Sequence, residues 1–338
     1  MDLAAIWFFL WALLWAVFFV TDGFDLGVGI LLPFLGRDDQ ARRTMIASMA
    51  PLWDGNEVWL IAAGGITFAA FPLAYAVLFS ALYLPLLLVL FGLILRGVSM
   101  EFRGKHESPV WTGIWDGCLF LGSLLPSFLL GVAFSNIFMG LPLDEQGRFT
   151  GSLFALVNPY AVLGGLFFTV LFCLHGALWL SARTLAPLHG KAREAAGFLW
   201  ALCLLLGLSF VTASGIATDL FDNYARMPIL LLLPLAFVAA LVAVRLLARK
   251  NFLFAAWGAS AVAIISATFF GMAGLFPRML PSSLDPAFDV TIRNAAASPH
   301  TLTIMLVVAL IFVPVVIAYQ AWAYKKFSHK ITEEDLMY

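Results

Sequence analysis

Four carboxylic acids stand in this chain where a polypeptide rarely carries them. Asp22 and Asp25 lie in Thr21-Asp22-Gly23-Phe24-Asp25-Leu26-Gly27. Asp54 and Glu57 lie in Leu52-Trp53-Asp54-Gly55-Asn56-Glu57-Val58-Trp59. An uncharged apolar run from Leu3 to Val20 precedes the first pair, and another from Val58 to Leu95 follows the second. Ionisable groups in such surroundings are costly and mark sites that handle protons, ions or charged partners. A carboxylate relays protons when burial lets the neutral acid persist at ordinary pH and a polar neighbour steadies the anion. Each pair is spaced i, i+3, which sets both acids on one face of a helix. Plainer duties compete with this chemistry. Gly23 and Gly27 form a small-xxx-small face for close helix packing. An acid at a helix start offsets the dipole and caps free amides, and Trp53 and Trp59 suit an interfacial aromatic belt. A cap needs only one acid, so Asp54 and Glu57 together exceed that duty. A second Trp-Asp-Gly, Trp115-Asp116-Gly117, is read as a helix-start cap.

The remaining reactive residues narrow the chemistry. Of the five histidines only His175 lies well inside an apolar run, so the chain cannot supply a bis-histidine haem site, and its His, Cys and carboxylate spacing fits no metal. His175 reads as a packing histidine. Cys118, Cys173 and Cys203 each sit in apolar sequence and form neither a disulfide framework nor a zinc motif. No glycine-rich phosphate loop or nucleophile elbow occurs in a strand–helix setting, and strands are not expected. A net charge of −1 offers no field for nucleic acid.

The elements that must position the acids are membrane helices. The 338 residues are 62% hydrophobic and only 12% charged, with a mean hydropathy of +0.97; soluble domains carry about 25% charged residues. The expected fold is an all-α integral membrane protein with nine transmembrane helices. The spans fall at 3–32, 48–71, 73–96, 113–136, 158–181, 195–217, 227–247, 252–275 and 301–323. The second and third form one apolar stretch, divided at Phe71-Pro72 because proline disfavours helical geometry in the residue before it. Alternate connections then collect Arg37, Arg42, Arg43, Arg96, Arg103, Lys105, Arg183, Lys191, Arg193, Arg245, Arg249, Lys250, Lys325, Lys326 and Lys330 on one side. Only Arg148, Arg226, Arg278 and Arg293 of the 19 basic residues fall on the other. Positive charge stays in the cytoplasm, so the N-terminus is expected outside and the C-terminus inside.

That orientation gathers the four acids in the cytoplasmic half of the membrane with Arg96 at the same depth. The N-terminus carries Asp2 where a signal peptide is basic, so the first span is expected to stay uncleaved. Gly131–Asp144 and Gly271–Asp285 resemble each other loosely about 140 residues apart, each beside a long outer connection, 137–157 or 276–299. The division this suggests is a first four-helix unit (1–140), a second (141–275), an extracytoplasmic loop (276–299), and a ninth, peripheral helix with a short cytoplasmic tail (300–338).

The segments VTDGFDLGVGILLPFLGR (20–37), RRTMIASMAPLWDGNEVWLIAAGG (42–65), FAAFPLAYA (68–76) and GVAFSN (131–136) resemble subunit II of the cytochrome bd-type quinol oxidases, including the cyanide-insensitive branch. The likeness covers essentially the whole chain. It implies a haem-free subunit of a terminal oxidase in the bacterial inner membrane. The complex oxidises quinol on the outer side and reduces oxygen to water with cytoplasmic protons. Haems b and d and the quinol site would belong to subunit I, the pseudo-twofold partner that this chain stabilises. The resemblance makes Asp54 a member of a proton path toward the haems, with Asp22 and Asp25 as entrance or relay groups and Glu57 and Arg96 beside them. It puts Trp59 near a hydrophobic route for oxygen. Small single-helix accessory subunits, and lipid or quinone between helices, are further expected partners. A rival reading from the residues alone is a stand-alone proton-coupled transporter, since buried acids and an internal repeat also mark transporters. A third is a structural subunit whose acids only cap helices.

Overall fold

The computed structural model describes residues 2–336; Met1 and Met337–Tyr338, the outer ends of the first and last expected segments, lie outside the described residues. The chain forms α1 (Leu3–Leu35), α2 (Asp39–Met49), α3 (Trp53–Ala70), α4 (Pro72–Ala81), α5 (Tyr83–Phe102), α6 (Pro109–Met139), α7 (Pro159–Arg183) and α8 (Leu188–Ala217). It continues through α9 (Phe221–Arg226), α10 (Leu232–Arg249), α11 (Leu253–Leu275), α12 (Ile292–Ala295) and α13 (Pro299–Lys326). Between α11 and α12 a short antiparallel pair, β1 (Arg278–Leu280) and β2 (Val290–Thr291), sets Arg278 opposite Thr291 and Leu280 opposite Val290. That pair departs from the expectation of helices alone.

α1 organises the bundle. Its Asp2 cap accepts from the Ala4 amide at 3.1 Å, and its apolar residues surround the axis instead of forming a stripe. A helix apolar all round belongs in the interior, and α1 packs against α3, α6, α7 and α11. Its closest approach is to α7. A Cβ on Gly27 would collide with the carbonyl of Phe172, and one on Gly176 would lie 2.7 Å from the Val28 nitrogen. Only glycine permits this approach, so the small-residue face does the packing expected of it. Because α1 touches α7 and α11, and α6 touches α7, the two halves suggested by the repeat share one core. The repeat-related segments also join each other. The Leu141 amide donates to the Pro281 carbonyl and the Ser283 amide to the Leu141 carbonyl, both at 2.9 Å.

Contacts between distant residues define the two ends of the bundle. At one, the Trp7 indole donates to the Leu302 carbonyl at 3.0 Å and the Ala297 amide to the Ala70 carbonyl at 2.8 Å. At the other, here the tail end, the Trp179 indole donates to the Ser48 carbonyl at 3.1 Å and the Ile331 amide to the Arg183 carbonyl at 2.8 Å.

Eight helices among the described residues are long and apolar enough to cross a membrane, by length and composition. The expected span 48–71 is not one of them. Its first residues belong to α2 and a turn, and the 18-residue α3 that remains carries Asp54, Asn56 and Glu57 in its opening turns, lowering its hydropathy. The expected span 73–96 is likewise two helices. The break at Phe71 falls where Pro72 was expected to cause it. A second falls at Leu82, because Pro85 has no amide to donate to Ala81 and its ring crowds that carbonyl. The other spans lie within a few residues of expectation, with α8 beginning earlier, at Leu188.

Candidate functional site

Asp22 and Asp25, one turn apart on α1, face α3 and α5, and both are completely buried. Arg96 reaches them from the middle of α5, itself fully buried. Its Nη2 donates to Asp22 Oδ1 at 2.7 Å and to Glu57 Oε1 at 2.6 Å. α5 lies this deep because Gly122 of α6 lets the two backbones meet: a Cβ there would be 2.7 Å from the Arg96 nitrogen. Asp25 takes a different partner. Its Oδ2 accepts from Asn56 Nδ2 at 2.7 Å, and Asn56 Oδ1 accepts in turn from the Tyr324 hydroxyl of α13 at 2.8 Å. Gln320, one turn before Tyr324, accepts from the Trp59 indole at 2.9 Å and donates to the Gly55 carbonyl at 3.3 Å.

The structure thus brings together Asp22, Asp25, Glu57 and Arg96, with Trp59 joined through Gln320. It does not bring in Asp54. That side chain is exposed on the outer face of α3 and has no hydrogen-bond or ion-pair partner among the described residues. It occupies the first turn of α3 without making a side-chain cap. Asn56 is the hinge of the network, and Gln320 and Tyr324 join it from outside the residues that the sequence singles out. Their signal is local: Gln320 and Tyr324 are spaced i, i+4 just after the wholly apolar run Ile304–Ala318 of the same helix.

The interior of the cluster is not saturated. Asp22 Oδ2, Asp25 Oδ1, and Arg96 Nε and Nη1 are buried and have no partner among the described residues. Buried polar atoms are normally satisfied, by ordered water where protein does not serve. With all three carboxyl groups ionised, the one guanidinium would leave negative charge uncompensated, and an arriving proton would move the cluster toward neutrality. The arrangement therefore suits the reception and passage of protons.

A second ionic cluster lies at the tail end and corrects the reading of Asp116. Ser108, not Asp116, precedes the first turn of α6. Asp116, two turns in, accepts from Arg42 Nη1 at 2.8 Å and Arg103 Nε at 2.6 Å, while Arg103 Nη2 reaches Asp39 at 2.8 Å. It ties α2 and the end of α5 to α6 instead of capping amides.

His175 packs as expected. Its Nδ1 meets Ser260 Oγ at 2.6 Å, its Nε2 the Val20 carbonyl at 3.1 Å, and its ring stacks on Trp257. It is the only buried histidine among the described residues, and with both nitrogens engaged it does not fit an axial haem ligand. Among the described residues no group of three or more His, Cys, Asp or Glu could hold a metal ion.

The fold and cluster define a multi-span helical membrane protein with an arginine-bridged carboxylate site in its interior, the kind of position that marks functional sites in such proteins. Comparison with known proteins makes this specific. The model of the family described as cytochrome bd terminal oxidase subunit II matches residues 3–327, and the chain belongs to that family. It is 36% identical over 334 residues to cytochrome bd ubiquinol oxidase subunit 2 of Bacillus subtilis, with 98% of each chain covered. It is 36% identical over 364 residues to cytochrome bd-I ubiquinol oxidase subunit 2 of Escherichia coli K12, covering 98% of this chain and 96% of that one. In fold it matches a chain from the structure of bd oxidase from Geobacillus thermodenitrificans, with a TM-score of 0.79 and 16% identity, over 97% of this chain and 99% of that one. The protein is thus a subunit of a bacterial terminal oxidase, an oxidoreductase complex. Membership in this family displaces the reading as a stand-alone transporter.

Proposed function

We propose that the chain is the haem-free subunit II of a cytochrome bd-type quinol:oxygen oxidoreductase of the inner membrane, stabilising a haem-bearing subunit I and supplying it with cytoplasmic protons. The observation that carries this reading is the buried Asp22–Arg96–Glu57 and Asp25–Asn56 cluster with its unpartnered oxygens and nitrogens. Protons would enter at the tail end, where Arg42, Arg103 and Asp116 meet, and pass by way of Glu57 and Asp22 to Asp25. Asp54 stands on the exposed apolar face of α3 with Val58, Ile61 and Phe68. Subunit I would cover that face as a pseudo-twofold partner and receive the proton through Asp54. The haems b and d of that partner would supply the oxygen chemistry, with quinol as reductant.

Nine crossings with the N-terminus outside belong to the same proposal. α3 then crosses the membrane at about 27 Å, the length of 18 residues at 1.5 Å each, beside the longer α1. The ion pairs support this. Arg42 and Arg103 both bind Asp116, so an even number of crossings separates residues 42 and 103, and α3 with α4–α5 provides two.

The test is turnover in the assembled complex. Asp54→Asn and Asp25→Asn keep shape and remove the titrating proton; each is expected to lower quinol oxidation at least about tenfold while the haem absorbance stays at parental level. Full turnover with intact haem in Asp54→Asn would remove Asp54 from the path. Haem absorbance in the chain purified without its partner would overturn the haem-free assignment.

A further inference from the structure

At the tail end, lined by none of the residues of the carboxylate cluster, a cavity of about 170 Å³ opens between α8 and α10. It is many times the ~15 Å³ that one water requires. Arg193, Arg245 and Arg249 line it, over a floor that includes Ala196, Gly197 and Val244. None of the three arginines forms an ion pair with a carboxylate among the described residues, although the chain pairs Arg42, Arg96, Arg103 and Arg278 with acids. Three guanidinium groups around one cavity repel one another until an anion stands between them.

The cavity is also built to hold these groups. The Arg245 guanidinium lies 5.3 Å above the Trp200 ring, and the Trp200 indole is fixed by donation to the Leu241 carbonyl at 2.6 Å. Gly197 leaves room beneath, since a Cβ there would come 3.2 Å from Arg245 Nη1. Arg193 Nη2 donates to the Arg249 carbonyl at 3.2 Å, so Arg193 spans from α8 to the end of α10. Planar guanidinium forks match phosphate oxygens in pairs.

We propose that this cavity binds the phosphodiester headgroup of an anionic membrane phospholipid. The surroundings favour a lipid over a soluble phosphate. Phe198, Val242 and Leu246 are largely exposed on the same two helices, offering an apolar wall along which acyl chains lie while the headgroup meets the arginines. Basic pockets between membrane helices on the positively charged side recognise anionic headgroups by this combination.

The experiment uses the oxidase complex purified in mild detergent and exchanged into nanodiscs containing phosphatidylglycerol and phosphatidylcholine at equal mole fraction, with native mass spectrometry counting retained lipid. The parental complex is expected to retain phosphatidylglycerol over phosphatidylcholine by about tenfold or more. Arg193→Gln/Arg245→Gln/Arg249→Gln is expected to lose that preference, and Arg→Lys at the same three positions to keep part of it. If the triple Gln variant does not assemble, Arg245→Gln alone is expected to show a several-fold loss. Equal retention of both lipids by the parent, or an undiminished preference in the Gln variants, would overturn the proposal. Displacement of phosphatidylglycerol by millimolar inorganic phosphate would assign the cavity to a soluble anion and overturn the lipid assignment.

Discussion

Arg96 is the residue on which the interior of the site depends, because its guanidinium is fully buried and its Nη2 serves two carboxylates at once. A buried ion pair adds little over a well-packed apolar pair, but removing one partner strands the other at roughly 3–5 kcal/mol. Arg96→Gln is therefore expected to destabilise the purified complex by about 3–5 kcal/mol, seen as a lowered Tm. Adding Asp22→Asn and Glu57→Gln should restore most of the loss, because the stranded charges are gone; no recovery would mean that Arg96 acts through packing alone. Asp25 stands apart from this pairing. Its bond to Asn56, and through it to Tyr324, links the interior acids to the peripheral helix, a connection that ion pairing alone does not provide.

At the scale of elements, the contact of α1 with α7 governs how accurately the acids are placed. Gly27 stands one turn from Gly23 and two residues from Asp25, against the Phe172 carbonyl. Gly27→Ala must push the backbones apart, and overpacking of this kind costs about 1–3 kcal/mol. The expected result is a lowered Tm with a fall in turnover larger than that of Gly55→Ala, where a Cβ meets nothing within 4 Å; equal effects would detach α1–α7 packing from the site. The C-terminal tail is a second element held at a specific point. In the turn Glu333–Asp335, the backbone N–H of Thr332, and next the bond from His329, hold the Asp335 carboxyl below its usual value of 3.8. A carboxyl lowered by folding stabilises the docked tail when ionised, above 3.8, and that contribution is lost as pH falls through and below that value. The protection factor of the Ile331 amide, which donates to the Arg183 carbonyl at 2.8 Å, is expected to fall on acidification, exchange slowing less than its intrinsic rate does. Unaltered protection would show that the tail is held by the buried Ile331 side chain instead.

Over the whole molecule, the two ends of the bundle carry the topology. α13 is only 6% buried along its most apolar window, so its ties to the core are few: Trp7 to Leu302 at one end, and Tyr324 and Gln320 to Asn56 and its neighbours toward the other. The proposed nine crossings with the N-terminus outside would set Ser283 outside the membrane and Ser328 inside. Single cysteines at these positions check this directly, against native Cys173 and Cys203, which are buried, and Cys118, which is half-buried and replaced by serine. A membrane-impermeant maleimide applied to intact cells is expected to label Ser283→Cys and to leave Ser328→Cys unlabelled until the membrane is opened. The reverse pattern, Ser328→Cys labelled and Ser283→Cys protected, is what eight crossings without α3 give, and it would overturn the ninth crossing.

Long apolar runs determine by themselves that α1, α5–α8, α10, α11 and α13 are membrane helices, because the cost of desolvating a backbone leaves helix as the only economical form for 20 apolar residues. The Asp22–Asp25 pair on one face and the Gly23–Gly27 face were legible for the same local reason, and so was the break at Pro72; the Asp54–Glu57 pair is split, Asp54 standing exposed while Glu57 meets Arg96. Partnership was not. Asp54 and Asp22 look alike along the chain, yet one is exposed and the other lies under Arg96. Asp116 repeats the Trp-Asp-Gly of Asp54 and is instead clasped by Arg42 and Arg103. Gln320 and Tyr324 approach Asn56 from more than 260 residues away. Helical periodicity states which residues share a face, but the partner of that face is set by how the thirteen helices among the described residues pack. That is decided by close approaches such as Gly27 to Phe172, which exist only in three dimensions.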